Sequence, residues 1–338
     1  MNEFQVLILV DAGIGNAIQA LYGVEYCLHN NIKVGIFLNK VNKSFQNYLV
    51  ECYGDKIILD SLKGVTTRHL LHSFTFQEKI DVKFQYYFYL QPDFHSSAIL
   101  SETGQYLSVL KALFPSDYYS DTLTFLKENN SESVQKTNVE KKTVIYPGGS
   151  SFMPARRWPH YEELIKKTGE DNIITIGGND DINFSFSYVY PKFLTSILPQ
   201  ALLNQRKIWL FLKKVGLLKA YAHFPGLETR SNSYINKFSW AELVALLRKS
   251  KNFIGNDGGL SHLAGAAGAN GFILFGPTSS LKNKPISSKI KVYEKQYNCQ
   301  PCQFGVGKVM MTKNFVNCPF QIRCMSSITA EEITKLAK

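Results

Sequence analysis

The apolar positions fall into short continuous runs divided by glycine turns and amphipathic stretches, the pattern of strands buried on both faces. Phe4–Val10 is the first such run, and Gly13-Ile14-Gly15-Asn16 turns it into a helix predicted over Ala17–His29. Lys33–Leu38 and Ser44–Tyr53 read as the next strand and helix. Strand and helix in alternation predict a parallel sheet with right-handed crossovers. Thr66–Tyr89 is mixed and aromatic, and its pattern assigns no element. Helices are predicted at Glu102–Leu113 and Thr122–Lys127, after which the polar run Glu128–Thr137 reads as a linker.

Beyond the linker the rhythm restarts, with strands predicted at Thr143–Tyr146, Asn172–Ile176, Asn252–Ile254 and Phe272–Phe275. Pro159 starts a helix at Tyr161–Thr168. Ser239 with Glu242, and Thr329 with Glu332, have capping-box spacing and open a helix through Arg248 and a terminal helix. The expected architecture is α/β, with Rossmann-like halves at 1–135 and 142–328, a terminal helix at 329–338, and ligand held between the halves.

Two turns of the second half carry the candidate chemistry. Gly255-Asn256-Asp257-Gly258-Gly259-Leu260-Ser261-His262 runs from strand through turn to helix. A helix N-terminus offers unpaired N–H groups and the positive end of a dipole, which suits a phosphate or diphosphate. Gly258 and Gly259 admit a ligand close to the backbone, Asp257 is placed to cap the helix or hold a hydroxyl, and His262 lies one turn in. Tyr146-Pro147-Gly148-Gly149-Ser150-Ser151 is a second such turn, followed by Arg156-Arg157-Trp158-Pro159. An arginine fork donates two parallel hydrogen bonds to a diphosphate. Each turn alone is common in α/β proteins; the pair favours a nucleotide-type ligand.

Composition adjusts this picture in three ways. The 338 residues suffice for two domains and are 45% hydrophobic, yet no apolar run approaches the roughly 18–20 residues of a membrane span. The opening residues enter a strand with no basic n-region or cleavage site, so a cytoplasmic protein is expected. The net charge of +11 calls for anionic company. No nucleic-acid motif occurs, and an anionic membrane face explains the charge as well as a merely solvated lysine surface does. The basic residues are denser at Arg206–Lys219 and Lys282–Lys295. Gln205–Tyr221, apolar with basic punctuation, reads either as an interfacial helix or as a core or oligomer helix with snorkelling lysines.

Cys27 and Cys52 stand alone and read as small buried residues. Cys299, Cys302, Cys318 and Cys324 cluster with metal-site spacing, which would suit structural zinc or iron stapling Gly305–Asn317; unligated thiols are the alternative.

The Asp11–Asn16 turn, Pro147–Gly149, Arg156–Pro159, Gly177-Gly178, Gly255–His262 and Phe275-Gly276-Pro277-Thr278 come in an order that resembles glycosyltransferase family 9, the ADP-heptose:lipopolysaccharide heptosyltransferases. The resemblance implies a GT-B fold, two Rossmann-like domains with parallel sheets facing a central cleft. It also implies inverting sugar transfer from a nucleotide diphosphate, with no cofactor for catalysis. The donor would contact Gly148, Gly149, Ser150, Ser151, Arg156, Asp257, Gly258, Gly259 and His262, and the acceptor would meet the turn at Gly13 and Gly15. Gly258 stands where the family has threonine. Asn16 stands where it has the aspartate taken as the base; a neutral amide accepts no proton at physiological pH. Asp11, Asp93 and His95 are the candidates to replace it, the two aspartates also explicable as turn residues.

The four clustered cysteines are similar to the iron-binding finger of enzymes that add heptose to autotransporters. The acceptor expected is a glycolipid or glycan, with peripheral contact at the inner membrane face and a homo-oligomer as further expectations. Autotransporter modification, a sugar-nucleotide epimerase of the same fold and a catalytically silent homologue are the alternatives.

Overall fold

The computed structural model describes residues 2–11, 13–73, 82–90, 101–149, 154–178, 181, 186–189, 219–223, 230, 232–302 and 322–337. The first half is built on β1 (Asn2–Val10), whose Val6–Val10 segment is fully buried. α1 (Ile14–His29) leads to β2 (Val34–Leu38), α2 (Lys43–Tyr53) to β3 (Ile58–Leu59), and then β4 (Val65–Ser73) and β5 (Lys83–Leu90) follow. All five strands are parallel in the order β3-β2-β1-β4-β5, so the order reverses between β1 and β4. Ligands of open α/β sheets bind beyond the strand C-termini at such a reversal. α3 (Glu102–Leu113) packs against α1.

The second half follows α4 (Glu132–Gln135) and comprises β6 (Thr143–Tyr146), α5 (Tyr161–Thr168) and β7 (Ile173–Thr175). β8 (Phe186–Val189) and β9 (Lys219–His223) form a separate antiparallel pair. α6 (Trp240–Lys249), β10 (Asn252–Asn256), α7 (Gly259–Ala267), β11 (Gly271–Phe275), α8 (Ser280–Asn283), β12 (Ile290–Glu294), α9 (Arg323–Ser326) and α10 (Ala330–Leu336) complete it. Its sheet is parallel in the order β12-β11-β10-β6-β7. Both predicted capping boxes, at Ser239 and Thr329, have their two reciprocal hydrogen bonds.

The largest apolar core runs through both halves, joining Val6, Ile8 and Leu21 to Val144, Leu246 and Leu263. Two further cores flank it. One lies around Trp158 and Met325 under α5 and α10, and the other lies on the far face of the first sheet around Leu7 and Leu9.

Two predicted elements differ from the structure. Thr122–Lys127 is not helical; long-range partners hold it instead, buried Glu25 accepting the N–H groups of Thr124 and Phe125 at 2.8 and 3.0 Å and Ala266 O that of Leu123. The Glu128–Thr137 linker is not loose: Ser131 donates to Glu242, Asn129 N–H to Ala241 O, and Arg248 pairs with Glu128. The unassigned Thr66–Tyr89 holds β4 and β5. Residues 205–218 of the basic apolar segment lie outside the described residues, and its end, from Lys219, is strand β9.

Asn256 ties the second half together at the mouth of its sheet. Fully buried, it accepts from Trp158 N–H at 3.1 Å and Tyr161 O–H at 3.2 Å, and donates to the carbonyls of Pro147 and Gly148 at 2.9 and 2.8 Å. Replacing it with alanine takes the side-chain partner from Trp158 N–H and from the Pro147 and Gly148 carbonyls, while Tyr161 O–H keeps Tyr146 O. Asn256→Ala is expected to cost about 3 kcal/mol, read as a lower urea midpoint at unchanged slope.

Candidate functional site

A cleft of ≈ 1420 Å³ lies between the halves. Gly13–Asn16 form one wall, and Arg156, Asp257–Leu260, His262 and Lys282 form the other. Both walls are helix N-termini. The N-caps of α1 and α7 are Gly13 and Gly258, with no side-chain cap and no acid in either first turn. Side chains do cap α2, α3 and α6, from Asn42, Ser101 and Ser239. Two uncapped dipoles pointing into one cleft make an anion-attracting field.

The walls touch at glycines. A Cβ on Gly15 would stand 2.9 Å from His262 Cδ2, and one on Gly259 would stand 3.3 Å from Ile14 Cβ. A Cβ on Gly258 would meet the Tyr146 ring at 3.0 Å, so the side chain absent from position 258 is replaced in space by that ring. His262 is buried, and burial lowers it to about 4 despite the opposing pull of Asp257, so its ring is neutral near pH 7.

Asp257 is held rather than exposed to chemistry. It accepts from Thr278 Oγ1 at 2.7 Å and Asn283 Nδ2 at 3.2 Å, and pairs with Arg156 at 3.3 Å. Arg156 keeps a buried Nε with no hydrogen-bond partner. Burial, reinforced by Arg156, lowers Lys282 to about 8 against the pull of Glu102 and Asp257. The two adjacent arginines divide their work: Arg156 lines the cleft, while Arg157 is buried and donates to Gly149 O at 2.8 Å.

The Gly148–Gly149 turn differs from expectation in one respect. Its Gly149 N–H already donates to Asp181 at 3.0 Å, as does Gly178 N–H at 2.8 Å. An internal carboxylate thus sits where the sequence suggests a phosphate. Asp11 lies away from the cleft, bonded to Lys40 Nζ and Asn39 Nδ2 at 3.0 Å each. Asp93, His95, Ser150, Ser151 and Cys318 lie outside the described residues.

Asn16 is at the cleft and donates to Glu102 Oε2 at 2.6 Å; Gln19 donates to the same oxygen at 3.2 Å. Sequence reading missed Glu102, which looks like an ordinary first-turn acid after the Ser101 cap. It missed Lys282 too, hidden in a basic zone, and Asp181. The pairing of Asn16 with a carboxylate carries no sequence signal.

Of the clustered cysteines, Cys299 and Cys302 are half-buried and Cys324 is buried. Cys302 N–H donates to Pro277 O at 2.9 Å, and Cys324 Sγ would lie 3.2 Å from a Cβ on Gly276, so both adjoin that turn. Among the described residues no group of three or more His, Cys, Asp or Glu side chains is placed to hold a metal ion. No helix among them is long and apolar enough to cross a membrane.

Two five-stranded parallel sheets with the cleft between them define a GT-B type of molecule. Residues 197–308 match the sequence model of glycosyltransferase family 9 (heptosyltransferase). Lipopolysaccharide heptosyltransferase 1 of Campylobacter coli is 25% identical over 180 residues, covering 52% of this chain. The match spans 47% of that relative's length.

Solved structures share the fold. E. coli ADP-heptose lipopolysaccharide heptosyltransferase II aligns over 98% of this chain and 96% of its own, at TM-score 0.54 and 14% identity. A family 9 glycosyltransferase from Veillonella parvula aligns over 99% and 96%, at 0.59 and 14%. The iron-containing dodecameric glycosyltransferase TibC from enterotoxigenic E. coli aligns over 98% and 75%, at 0.55 and 13%.

Two outcomes are expected. Gly15→Ala forces a methyl against a ring that is itself buried, and costs about 1–3 kcal/mol of stability, measured by chemical denaturation. His262 gives the second. Between its folded value of about 4 and its ordinary 6.5, the unfolded chain binds the proton and the folded one does not. Stability therefore rises with pH across that window and is lost as pH falls through it. Glu102, raised to about 7 from 4.5, gives a slope of opposite sign between those values. His262→Gln removes only the first contribution, so the wild-type-minus-variant difference should fall as pH drops from about 6.5 towards 4.

Proposed function

We propose that the protein is an inverting glycosyltransferase that moves a sugar, heptose from ADP-heptose, onto a surface-glycan acceptor such as lipopolysaccharide core. The observation that carries this reading is the convergence of Arg156, Lys282 and the uncapped α7 N-terminus on one cleft wall. That array suits the charge that develops on a departing diphosphate. Fixed cations and aimed N–H groups in a site sheltered from water stabilise such charge without reorganising, and they supply what a metal ion supplies elsewhere. The ADP-D-β-D-heptose complex of TibC supports the choice of donor. The acceptor is proposed to enter from the Gly13–Asn16 wall.

Charge also bears on location. With a net charge of +11, the protein is proposed to act in the cytoplasm, at the anionic inner face of the membrane, where a glycolipid acceptor would be held. A homo-oligomer is part of the proposal, supported by the dodecameric assembly of TibC.

The four-cysteine finger is proposed as structural only. Cys302 and Cys324 adjoin the Gly276-Pro277 turn, and with Cys299 and Cys318 they would make up the four ligands.

Incubation with ADP-heptose and other nucleotide sugars, with and without heptose-free lipopolysaccharide core, tests the reading. ADP release that requires acceptor, an anomeric configuration inverted by NMR, and rates unchanged by EDTA are expected. A sugar altered without acceptor would indicate an epimerase, and binding without turnover a silent homologue; either outcome overturns the proposal. Elemental analysis of protein purified without a metal-affinity step decides the finger: stoichiometric zinc or iron supports it, and none removes it.

A further inference from the structure

A transferase of this kind must remove a proton from the attacking hydroxyl, and four acids line the cleft among the described residues: Glu51, Glu102, Asp181 and Asp257. Three are unsuited to the task. Asp257 lies on the wall opposite Gly13–Asn16, its Oδ2 held by Thr278, Asn283 and Arg156, while both oxygens of Asp181 are held, by two backbone N–H groups and Arg157. Oxygens held by fixed donors are not free to turn to an incoming hydroxyl. Glu51 is exposed to water on α2.

Glu102 differs from all three. It is buried at the first turn of α3 and lines the cleft on the α1 side. The amides of Asn16 and Gln19 fix Oε2, while Oε1 is buried with no hydrogen-bond partner. One oxygen is thus clamped and the other is left for a proton. We propose that Glu102 is the general base of the transfer and that Asn16 is its positioning residue, an inference that rests on the glycosyltransferase reading above.

In this step the acceptor hydroxyl gives its proton to Glu102. The oxygen forms a bond to the anomeric carbon of the donor, and the bond from that carbon to the diphosphate oxygen breaks. Its electron pair leaves with the nucleoside diphosphate on the Arg156 side. Burial raises Glu102 to about 7, opposed by the Asn16 hydrogen bond and the charge of Lys282. A base poised near the working pH combines a large ionised fraction with useful proton affinity.

The test compares wild type, Glu102→Gln, Glu102→Asp and Glu102→Ala, using ADP-heptose and heptose-free lipopolysaccharide core. Glu102→Gln should slow transfer by about 10²–10⁴-fold while calorimetric affinity for ADP stays at the wild-type value. Glu102→Asp, with a carboxylate one methylene shorter, should keep measurable transfer. In Glu102→Ala, added azide should restore donor consumption and yield heptosyl azide, because azide attacks without surrendering a proton. Transfer by Glu102→Gln at the wild-type rate overturns the proposal, as does a loss of rate matched by an equal loss of ADP affinity.

Wild-type protein that binds ADP but turns over no donor overturns the transferase reading itself, before any variant is compared. Should the variants not fold, carbon-13 NMR of wild-type protein labelled at glutamate carboxyls decides. A carboxyl that titrates near neutrality and shifts on adding the core acceptor supports the base, and titration of every glutamate in its ordinary range overturns it.

Discussion

The contact between two glycine turns, one from each half, is the constraint around which the site is built. α1 and α7 approach end to end closely enough that Gly15 has no room for a methyl group against His262, and Gly259 has little against Ile14. Only that proximity brings both uncapped N-termini to one cleft and sets Asn16 across it from Arg156 and Lys282. A helix N-terminus buried without a partner is costly. Two of them at one opening are tolerable because solvent, or an anion, meets both. The neutral ring of His262 fits the same logic, since a cation wedged between two positive dipole ends would be repelled.

Polar groups in the second half fix this geometry rather than act in it. Asn256 binds the Trp158 and Tyr161 side of the sheet to the Pro147-Gly148 carbonyls, and Asp257 collects Thr278, Asn283 and Arg156. Each satisfies its partners in a buried setting where leaving one unpaired would be expensive. The motif that stands out in the sequence, Gly255–His262, is therefore a scaffold for its neighbours: its asparagine and aspartate are spent on holding the turn, and its glycines on letting the other half come near.

Local signals in the chain revealed most of the elements. Ser239 and Thr329 announced their helices through capping boxes, and continuous apolar runs announced β1, β6 and β11, because burial on both faces leaves a contiguous imprint. β5 left no such imprint. It is an edge strand whose Phe84, Tyr86, Tyr87 and Tyr89 are exposed among the described residues, so neither alternation nor a buried run marks it. Thr122–Lys127, predicted helical, is held instead by non-local partners: Glu25, about a hundred positions earlier, accepts the N–H groups of Thr124 and Phe125. The site was legible where ligand-facing backbone demanded glycine. It was illegible at Glu102 and Lys282, whose roles depend on which distant side chains fold against them.

The apolar core that passes from the first sheet into the second gives the cleft a different character from a gap between two hinged bodies. Phe45 packs on Trp240 with ring centroids 4.6 Å apart, and Trp240 also donates to Ser44, so α2 and α6 are sewn together behind the opening. Parting the halves would put those rings in water at roughly 25 cal/mol for each Å² of apolar surface. The opening is better described as a notch cut into one solid than as a jaw. A notch holds its shape when empty, so a ligand entering it would meet cations and amides already aimed, with little of its binding energy consumed in assembling the walls.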